Sequence, residues 1–109
     1  MDSFIAAGGH PNCVQLSQLQ PLTTLLVWTR NSLYQFVVVD HSSVWVQGGA
    51  HVADPTPAEL SGASMGRGLV IDGCICIGLK IELRVAGTRV MTSPVLAMIP
   101  EPASNFVVH

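Results

Sequence analysis

The chain has 109 residues, of which 49% are hydrophobic and 11% are charged, whereas an average soluble domain has about 25% charged residues. This length suits one domain with one core, and no apolar run approaches the roughly 18–20 residues of a membrane-spanning helix. The net charge is −2 with five basic residues, which disfavours nucleic-acid binding because that depends on clustered cations.

So few charges leave part of the surface to be covered by something other than water. A second copy of the same chain is the simplest cover, because a symmetric interface reuses one patch. We therefore predict a homo-oligomer, a dimer or higher. The chain has three cysteines and its first residues, MDSFIAAGG, lack the features of a secretory signal. These features predict a cytoplasmic protein with reduced thiols.

The chain begins with a Gly- and Pro-containing stretch, MDSFIAAGGHPN, that shows no sustained period. We predict a flexible arm over residues 1–12 and a single β-barrel domain over residues 13–109. One irregular turn is expected around Leu16 and Leu19. Pro21 would end this turn.

Three strands are predicted next, over residues 24–29, 33–39 and 43–47. Turns are predicted at residues 30–32 and 40–42, where Asn, Asp and Ser favour local hydrogen bonds to the backbone. The segment 33–39 (LYQFVVV) is apolar at nearly every position. It is therefore expected to be central and covered on both faces.

A long connection is predicted over residues 50–68. Connections of this length in a compact domain are usually functional or flexible loops. Thr56-Pro57-Ala58-Glu59 matches the start of a helix, with Thr as the cap and Pro at the first helical position. We therefore expect at most one helical turn, near residues 57–60.

The last third of the chain predicts a second set of strands. Asp72-Gly73 indicates a hairpin joining 69–71 to 74–77, and Ala86-Gly87 indicates a second hairpin. Gly78 separates CICI, which is apolar on both faces, from an alternating segment over 79–85. We expect the chain to bend there and to place CICI in covered surroundings.

About six or seven short antiparallel strands in meander order predict an all-β fold. A small β-barrel is the preferred architecture, and a two-sheet β-sandwich is the alternative. Strands over 88–92 and 95–99 complete the predicted set.

No catalytic residue, metal site or cofactor is predicted. The spacing Cys74-x-Cys76 suits apolar core packing, since a zinc site needs a second ligand pair. The run Asp40-His41-Ser42-Ser43 has the residue types of a hydrolase triad, but neighbours on one turn cannot adopt its geometry. Trp28 and Trp45 are expected to be core or interface anchors.

Polar residues at strand ends are the candidates for ligand binding, because alternate turns of a meander meet at one barrel mouth, where ligands commonly bind. Arg30 or Arg67 would offer a fork to a carboxylate or phosphate. The alternative is that these side chains satisfy the backbone of their own turns. The candidates are Arg30, Asn31, Ser32, Tyr34, Gln47, Arg67, Thr92 and Ser93.

The stretches TRNSLYQF, VQGG, LSGAS and TSPV resemble those of small uncharacterised bacterial all-β proteins, over roughly residues 23–96. The resemblance implies a bacterial source and carries no activity. Taken together, the sequence predicts a non-catalytic small β-barrel protein that self-associates and binds a small ligand or a protein partner. The alternatives are an enzyme or anionic-ligand-binding protein with a site at the barrel mouth, and a nucleic-acid-binding module.

Overall fold

A computed structural model describes residues 12–49 and 52–101, and most of them lie in antiparallel β-strands. The all-β class is therefore confirmed. The arm predicted over residues 1–12 lies outside the described residues except for Asn12. A short 3₁₀ helix at Leu16–Gln18 forms the irregular turn predicted around Leu16. The strands are β1 (Cys13–Gln15), β2 (Thr24–Thr29), β3 (Leu33–Val38), β4 (Ser43–Gly48), β5 (Val52–Gly66), β6 (Leu69–Asp72), β7 (Cys74–Cys76), β8 (Lys80–Val85), β9 (Thr88–Met91) and β10 (Val95–Glu101).

Eight of these strands form one sheet, and β1 pairs with β7 in a separate two-stranded sheet. The large sheet has the order β10-β2-β3-β4-β5-β8-β9, with β6 beside β5. There are more strands than the six or seven predicted, because residues 13–15 and 52–66 form strands and not turn and loop. The described part of the chain forms no helix with the length and apolar character needed to cross a bilayer.

Alternation along β2, β3 and β4 builds the core, because successive side chains of a strand point to opposite faces. Every second side chain of these strands is buried, and Phe36 at the centre is fully so. Complete burial of one such apolar side chain contributes about 1.5–3 kcal/mol. The buried hydrophobic residues in these strands are Leu25, Val27, Tyr34, Phe36, Val38, Val44 and Val46.

Strand β5 overturns the predicted loop over residues 50–68 and the helical turn near 57–60. Ala58 and Leu60 are buried while Pro57 and Glu59 are exposed, which is the period of a strand and not of a helix. Ladders to β4 and β8 hold this segment from both sides. Proline is compatible with an extended backbone, so the Thr-Pro pair gave a misleading helix signal.

The hairpin predicted at Asp72-Gly73 is also wrong. Strand β6 pairs with β5, and β7 leaves the large sheet to pair with β1. The Gly73 N–H donates to the Ser61 carbonyl at 3.1 Å, and the Gly73 carbonyl accepts from the Leu16 N–H at 2.9 Å. Gly73 therefore bonds to other segments and does not close a two-residue turn.

The bend predicted at Gly78 is confirmed, since β7 and β8 belong to different sheets and Gly78 has a φ of 92°. All three residues of β7 are buried, so the prediction of covered surroundings for CICI is confirmed for Cys74–Cys76 but wrong for Ile77, which is 38% exposed. The hairpin predicted at Ala86-Gly87 is confirmed as well: Val85 pairs with Thr88.

Reduced thiols were predicted, and this prediction is wrong for Cys13 and Cys76. These two residues face each other in the β1–β7 ladder and form a disulfide across 63 residues of sequence. Cys74 keeps a free thiol and is buried. Its neighbours are Ala63, Ile71 and the disulfide, so the prediction of core packing is confirmed for Cys74. Burial and the nearby Asp72 carboxylate raise the pKa of this thiol.

The large sheet is not closed into a barrel by a ladder between its end strands, as far as residues 12–49 and 52–101 show. Three backbone hydrogen bonds do join residues 92–95 to residues 78–81. Two of them involve Val95 at the start of β10: the Gly78 N–H donates to the Val95 carbonyl at 2.8 Å, and the Val95 N–H donates to the Leu79 carbonyl at 3.0 Å. The third, from the Thr92 N–H to the Ile81 carbonyl at 3.0 Å, continues the β8–β9 pairing.

Candidate functional site

Four of the predicted ligand residues lie together where the β2–β3 turn meets the segment before β10. The Asn31 N–H donates to Ser93 Oγ at 3.2 Å, and the Arg30 N–H donates to the Pro94 carbonyl at 3.1 Å. The Ser32 N–H donates to Thr29 Oγ1 at 3.1 Å. Here the polar groups of Ser93 and Thr29 bond the backbone of the turn, as the alternative interpretation expects.

Three other predicted residues also bond within the protein. Thr92 Oγ1 accepts from the Ile81 N–H at 3.0 Å, and Gln47 Nε2 donates to the Ala53 carbonyl at 3.1 Å. Tyr34 is buried against Phe36, with ring centroids 6.2 Å apart. Burial raises the pKa of the Tyr34 hydroxyl, and a hydrogen bond with Ser32 partly offsets this rise. Tyr34 is thus a core residue with a polar end.

Arg67, the eighth candidate, lies apart from this group at the tip of the β5–β6 hairpin. It lines a cleft of about 430 Å³ together with Lys80 and Arg89. We call this the cationic cleft. None of the described residues that line it is acidic. The fold therefore gathers three of the chain's five basic residues, which lie far apart in sequence.

A second cleft of about 630 Å³ has the opposite character. Its lining includes Glu59, Asp72 and His41. The carboxylate nearest to His41 Nδ1 is that of the adjacent Asp40, at 3.9 Å. Among the described residues, no serine is hydrogen-bonded to His41 and no group of three or more metal-binding side chains is found. This polar cleft therefore shows no linked nucleophile and base.

The third distinctive surface is the side of the large sheet that faces away from the core. Trp45, Leu33 and Ile99 are 44%, 47% and 50% exposed there. The prediction that β3 is covered on both faces is thus wrong for a single chain: its second face is open. We call this surface the outer face and define it by Leu26, Trp28, Leu33, Gln35, Val37, Trp45, Gln47, Pro57, Ala97 and Ile99.

Cross-strand register makes the outer face continuous. One row runs from Ile99 through Leu26 and Gln35 to Gln47, because these residues are direct ladder partners. A parallel row contains Val37, Trp45 and Pro57. The ten residues that define the outer face include no ionisable side chain. Charge lies at its margin. The row through Val37 continues by way of Thr24 to Glu101, and on another side Glu59 is paired in register with Arg84.

Sequence reasoning found the parts of these sites but not their grouping. Arg67 and Trp45 were both identifiable as candidates from residue type. Lys80 and Arg89 were missed as site residues, and each alone looks like the solvent-facing cation of an alternating strand. Only the fold brings these residues to one place.

No family model, curated protein or solved structure matches this chain. The resemblance to small bacterial proteins therefore remains a prediction. The clefts and the outer face are the features of the structure that bear on function.

Proposed function

We propose that this protein is a non-catalytic β module that works as a symmetric homodimer joined through the outer face. The observation that carries the proposal is an exposed, continuous patch of ten sheet residues that carry no charge, with Glu59, Arg84 and Glu101 only at its margin. Soluble monomers rarely expose large contiguous apolar patches, and such patches commonly mark interaction sites. A tryptophan at the centre of the patch is typical of an interface anchor.

The chemistry of the outer face favours a second copy as its occupant. An uncharged face has no electrostatic preference for an acidic or basic partner, so the best partner surface is equally uncharged. The same face on another chain meets this condition and also supplies Gln35 and Gln47 as matching donors and acceptors. In a two-fold symmetric dimer, the same patch of both chains forms the interface.

The size of the outer face is sufficient for a weak but specific dimer. Five strands of about 20 Å length at about 4.8 Å spacing cover about 500 Å². Two such faces would bury about 1,000 Å², near the lower end of specific interfaces. Stacked sheets pack about 10 Å apart with strands inclined by about 30°. We therefore expect a dissociation constant in the micromolar range.

Leu33→Glu tests the dimer, with Leu69→Glu as a matched control. Both leucines are exposed, at 47% and 59%, but only Leu33 lies on the outer face. We expect the wild type and Leu69→Glu to sediment with twice the chain mass of 11.6 kDa, and Leu33→Glu to sediment as a monomer. The reason is that dimerisation would bury two unpaired carboxylates.

Sedimentation velocity over a micromolar concentration series provides the measurement. A wild-type protein that stays monomeric throughout the series would contradict the proposal. Equal dissociation of the two glutamate variants would contradict it as well, because the outer face would then have no special role.

We also propose a barrel-like closure in preference to a sandwich. The hydrogen bonds between Val95, Leu79 and Gly78 support it, since they link the β10 end of the sheet to the segment leading into β8. Such a link bends the sheet round the core that contains Phe36 and Ile81. The outer face is then the convex side of the closed sheet.

The Cys13–Cys76 disulfide bears on where the protein works. Structural disulfides persist in oxidising compartments and are rare where glutathione keeps thiols reduced. We therefore propose an oxidising environment in place of the cytoplasmic location predicted from the sequence. The disulfide is the one observation that supports this change.

A further inference from the structure

We propose that the cationic cleft binds a small phosphate monoester that carries an apolar group. This site goes beyond the proposed dimer and lies on different residues. Arg67, Lys80 and Arg89 line it from the β5–β6 hairpin, the start of β8 and β9, respectively. The volume of about 430 Å³ lies within the range of about 300–1,000 Å³ that is usual for small-molecule sites.

Charge identifies the class of ligand. Arg89 is engaged with Glu82, whose carboxylate oxygens lie 3.3 Å from both Nη2 and Nε of the guanidinium. Arg67 and Lys80 form no ion pair with any residue in the described ranges. Two uncompensated positive charges match a phosphate monoester, which carries about −1.5 to −2 at pH 7. A carboxylate, with a single charge, would leave one cation unmatched.

The backbone beside these cations is open to a ligand. Gly66, Gly68 and Gly78 line the cleft. A Cβ atom built on any of the three would meet no protein atom within 4 Å, so a ligand can approach the main chain. Gly66, Arg67 and Gly68 all have positive φ, between 57° and 88°. Tight turns of this kind can offer N–H groups to an anion, and the Gly66 N–H meanwhile donates to Ser64 Oγ at 3.4 Å.

The remaining walls of the cleft identify the second part of the ligand. Met65, Leu79, Met91 and Pro94 are lining residues that carry no charge. Methionine side chains adapt to ligands of irregular shape. A phosphate head at the cations would therefore leave an apolar group in contact with this wall. This combination favours an organic monoester over inorganic phosphate.

The test is a ¹⁵N–¹H NMR titration of the full chain with phenyl phosphate at low ionic strength. We expect saturable shifts at the amides of Gly66, Gly68 and Gly78. Inorganic phosphate should bind more weakly because it lacks the apolar group, and benzyl alcohol should not shift these amides because it lacks the charge. Lys80→Gln should weaken phenyl phosphate binding about tenfold, as expected for loss of a hydrogen bond to a charged group.

Arg84→Gln is the matched control, because Arg84 is an exposed cation on the same strand β8 but does not line the cleft. We expect it to bind phenyl phosphate like the wild type. Equal weakening by Arg84→Gln and Lys80→Gln would overturn the proposal in favour of diffuse charge attraction. Shifts that do not saturate would overturn it, and so would binding to phosphatidylserine vesicles without binding to phenyl phosphate. Unchanged spectra elsewhere in each variant confirm that it folds.

Discussion

Asp40 shapes the turn between β3 and β4 by bonding to the backbone that follows it. Its Oδ1 accepts hydrogen bonds from the N–H groups of Ser42 at 3.0 Å and Ser43 at 2.9 Å. These bonds favour the charged carboxylate and hold the pKa of Asp40 below its ordinary value of 3.8. The turn predicted from the residue types Asp and Ser thus has a direct chemical cause.

Asp40→Ala should lower the melting temperature at neutral pH, because two N–H groups lose their acceptor. A depressed pKa in the folded state stabilises the protein above the unfolded pKa, near 3.8, and this contribution is lost as the pH falls through the folded pKa. The difference in melting temperature between wild type and Asp40→Ala should therefore become smaller in strong acid. Thermal unfolding followed by circular dichroism from neutral to acidic pH measures this difference.

Asp54→Ala serves as the control for this effect. In the described residues the Asp54 carboxylate accepts no hydrogen bond, and its backbone carbonyl is bonded by Thr56. The melting temperature of Asp54→Ala should differ little from wild type at any pH. A difference for Asp40→Ala that stays constant into strong acid would show that the carboxylate charge is not responsible.

At the scale of elements, β7 is the clearest case of a short strand held by its surroundings. It has three residues, and among the strands of residues 12–49 and 52–101 it pairs only with the three residues of β1. Two such strands would be marginal in water by themselves. The Cys13–Cys76 disulfide joins them and removes freedom from an unfolded chain in which the two cysteines are 63 positions apart. Loop closure on this scale stabilises the folded state by about 4 kcal/mol.

Reduction of this disulfide should lower the free energy of unfolding by about 4 kcal/mol. We expect urea unfolding in the presence of a phosphine reductant to show a lower midpoint than unfolding without it. Cys13→Ser should show the low midpoint under both conditions, since it cannot form the bond. Cys74→Ala should still respond to the reductant, because its thiol is free.

An opposite result would identify a different bond. If Cys74→Ala loses its response to reductant while Cys13→Ser keeps it, the disulfide that forms in solution joins Cys74 and Cys76. Peptide mapping under non-reducing conditions would then verify the pairing directly.

At the scale of the whole molecule, the few charges are segregated. The outer face has none, the polar cleft has Glu59 and Asp72, and the cationic cleft has Arg67, Lys80 and Arg89. This separation explains how a chain with so little charge can present surfaces of different chemistry. Ionic strength should therefore affect phosphate binding in the cationic cleft and not dimerisation through the outer face.

Raising the salt concentration from ~0.1 M to ~1 M shortens the screening length from about 10 Å to about 3 Å. Dimerisation through the outer face should stay constant or strengthen slightly, because burial of apolar surface does not depend on charge pairs. Phenyl phosphate binding should weaken strongly. Sedimentation equilibrium and NMR titration at the two salt concentrations measure the two effects, and a dimer that dissociates in high salt would contradict the uncharged interface.

Local signals accounted for the central meander. The β-strand character of LYQFVVV, the Arg30–Ser32 and Asp40–Ser42 turns, the Ala86-Gly87 hairpin and the Gly78 bend depend on neighbours within a few residues, so they could be predicted. Strand β5 could not, because Pro55 and Pro57 resemble a loop until the ladders to β4 and β8 are known. Likewise, the Asp72-Gly73 dipeptide is a turn signal that pairing with β1 overrides.

The sequence by itself determined the all-β class, the positions of the central strands and the scarcity of charge, since all three follow from residue type and short-range patterns. Tertiary structure alone decided which cations share a cleft, which cysteines are bonded and which apolar face stays open. These three properties join residues far apart in the chain, such as Cys13 with Cys76 and Arg67 with Arg89. Contacts of that kind depend on how the sheet bends and pairs, and no local pattern of residues encodes them.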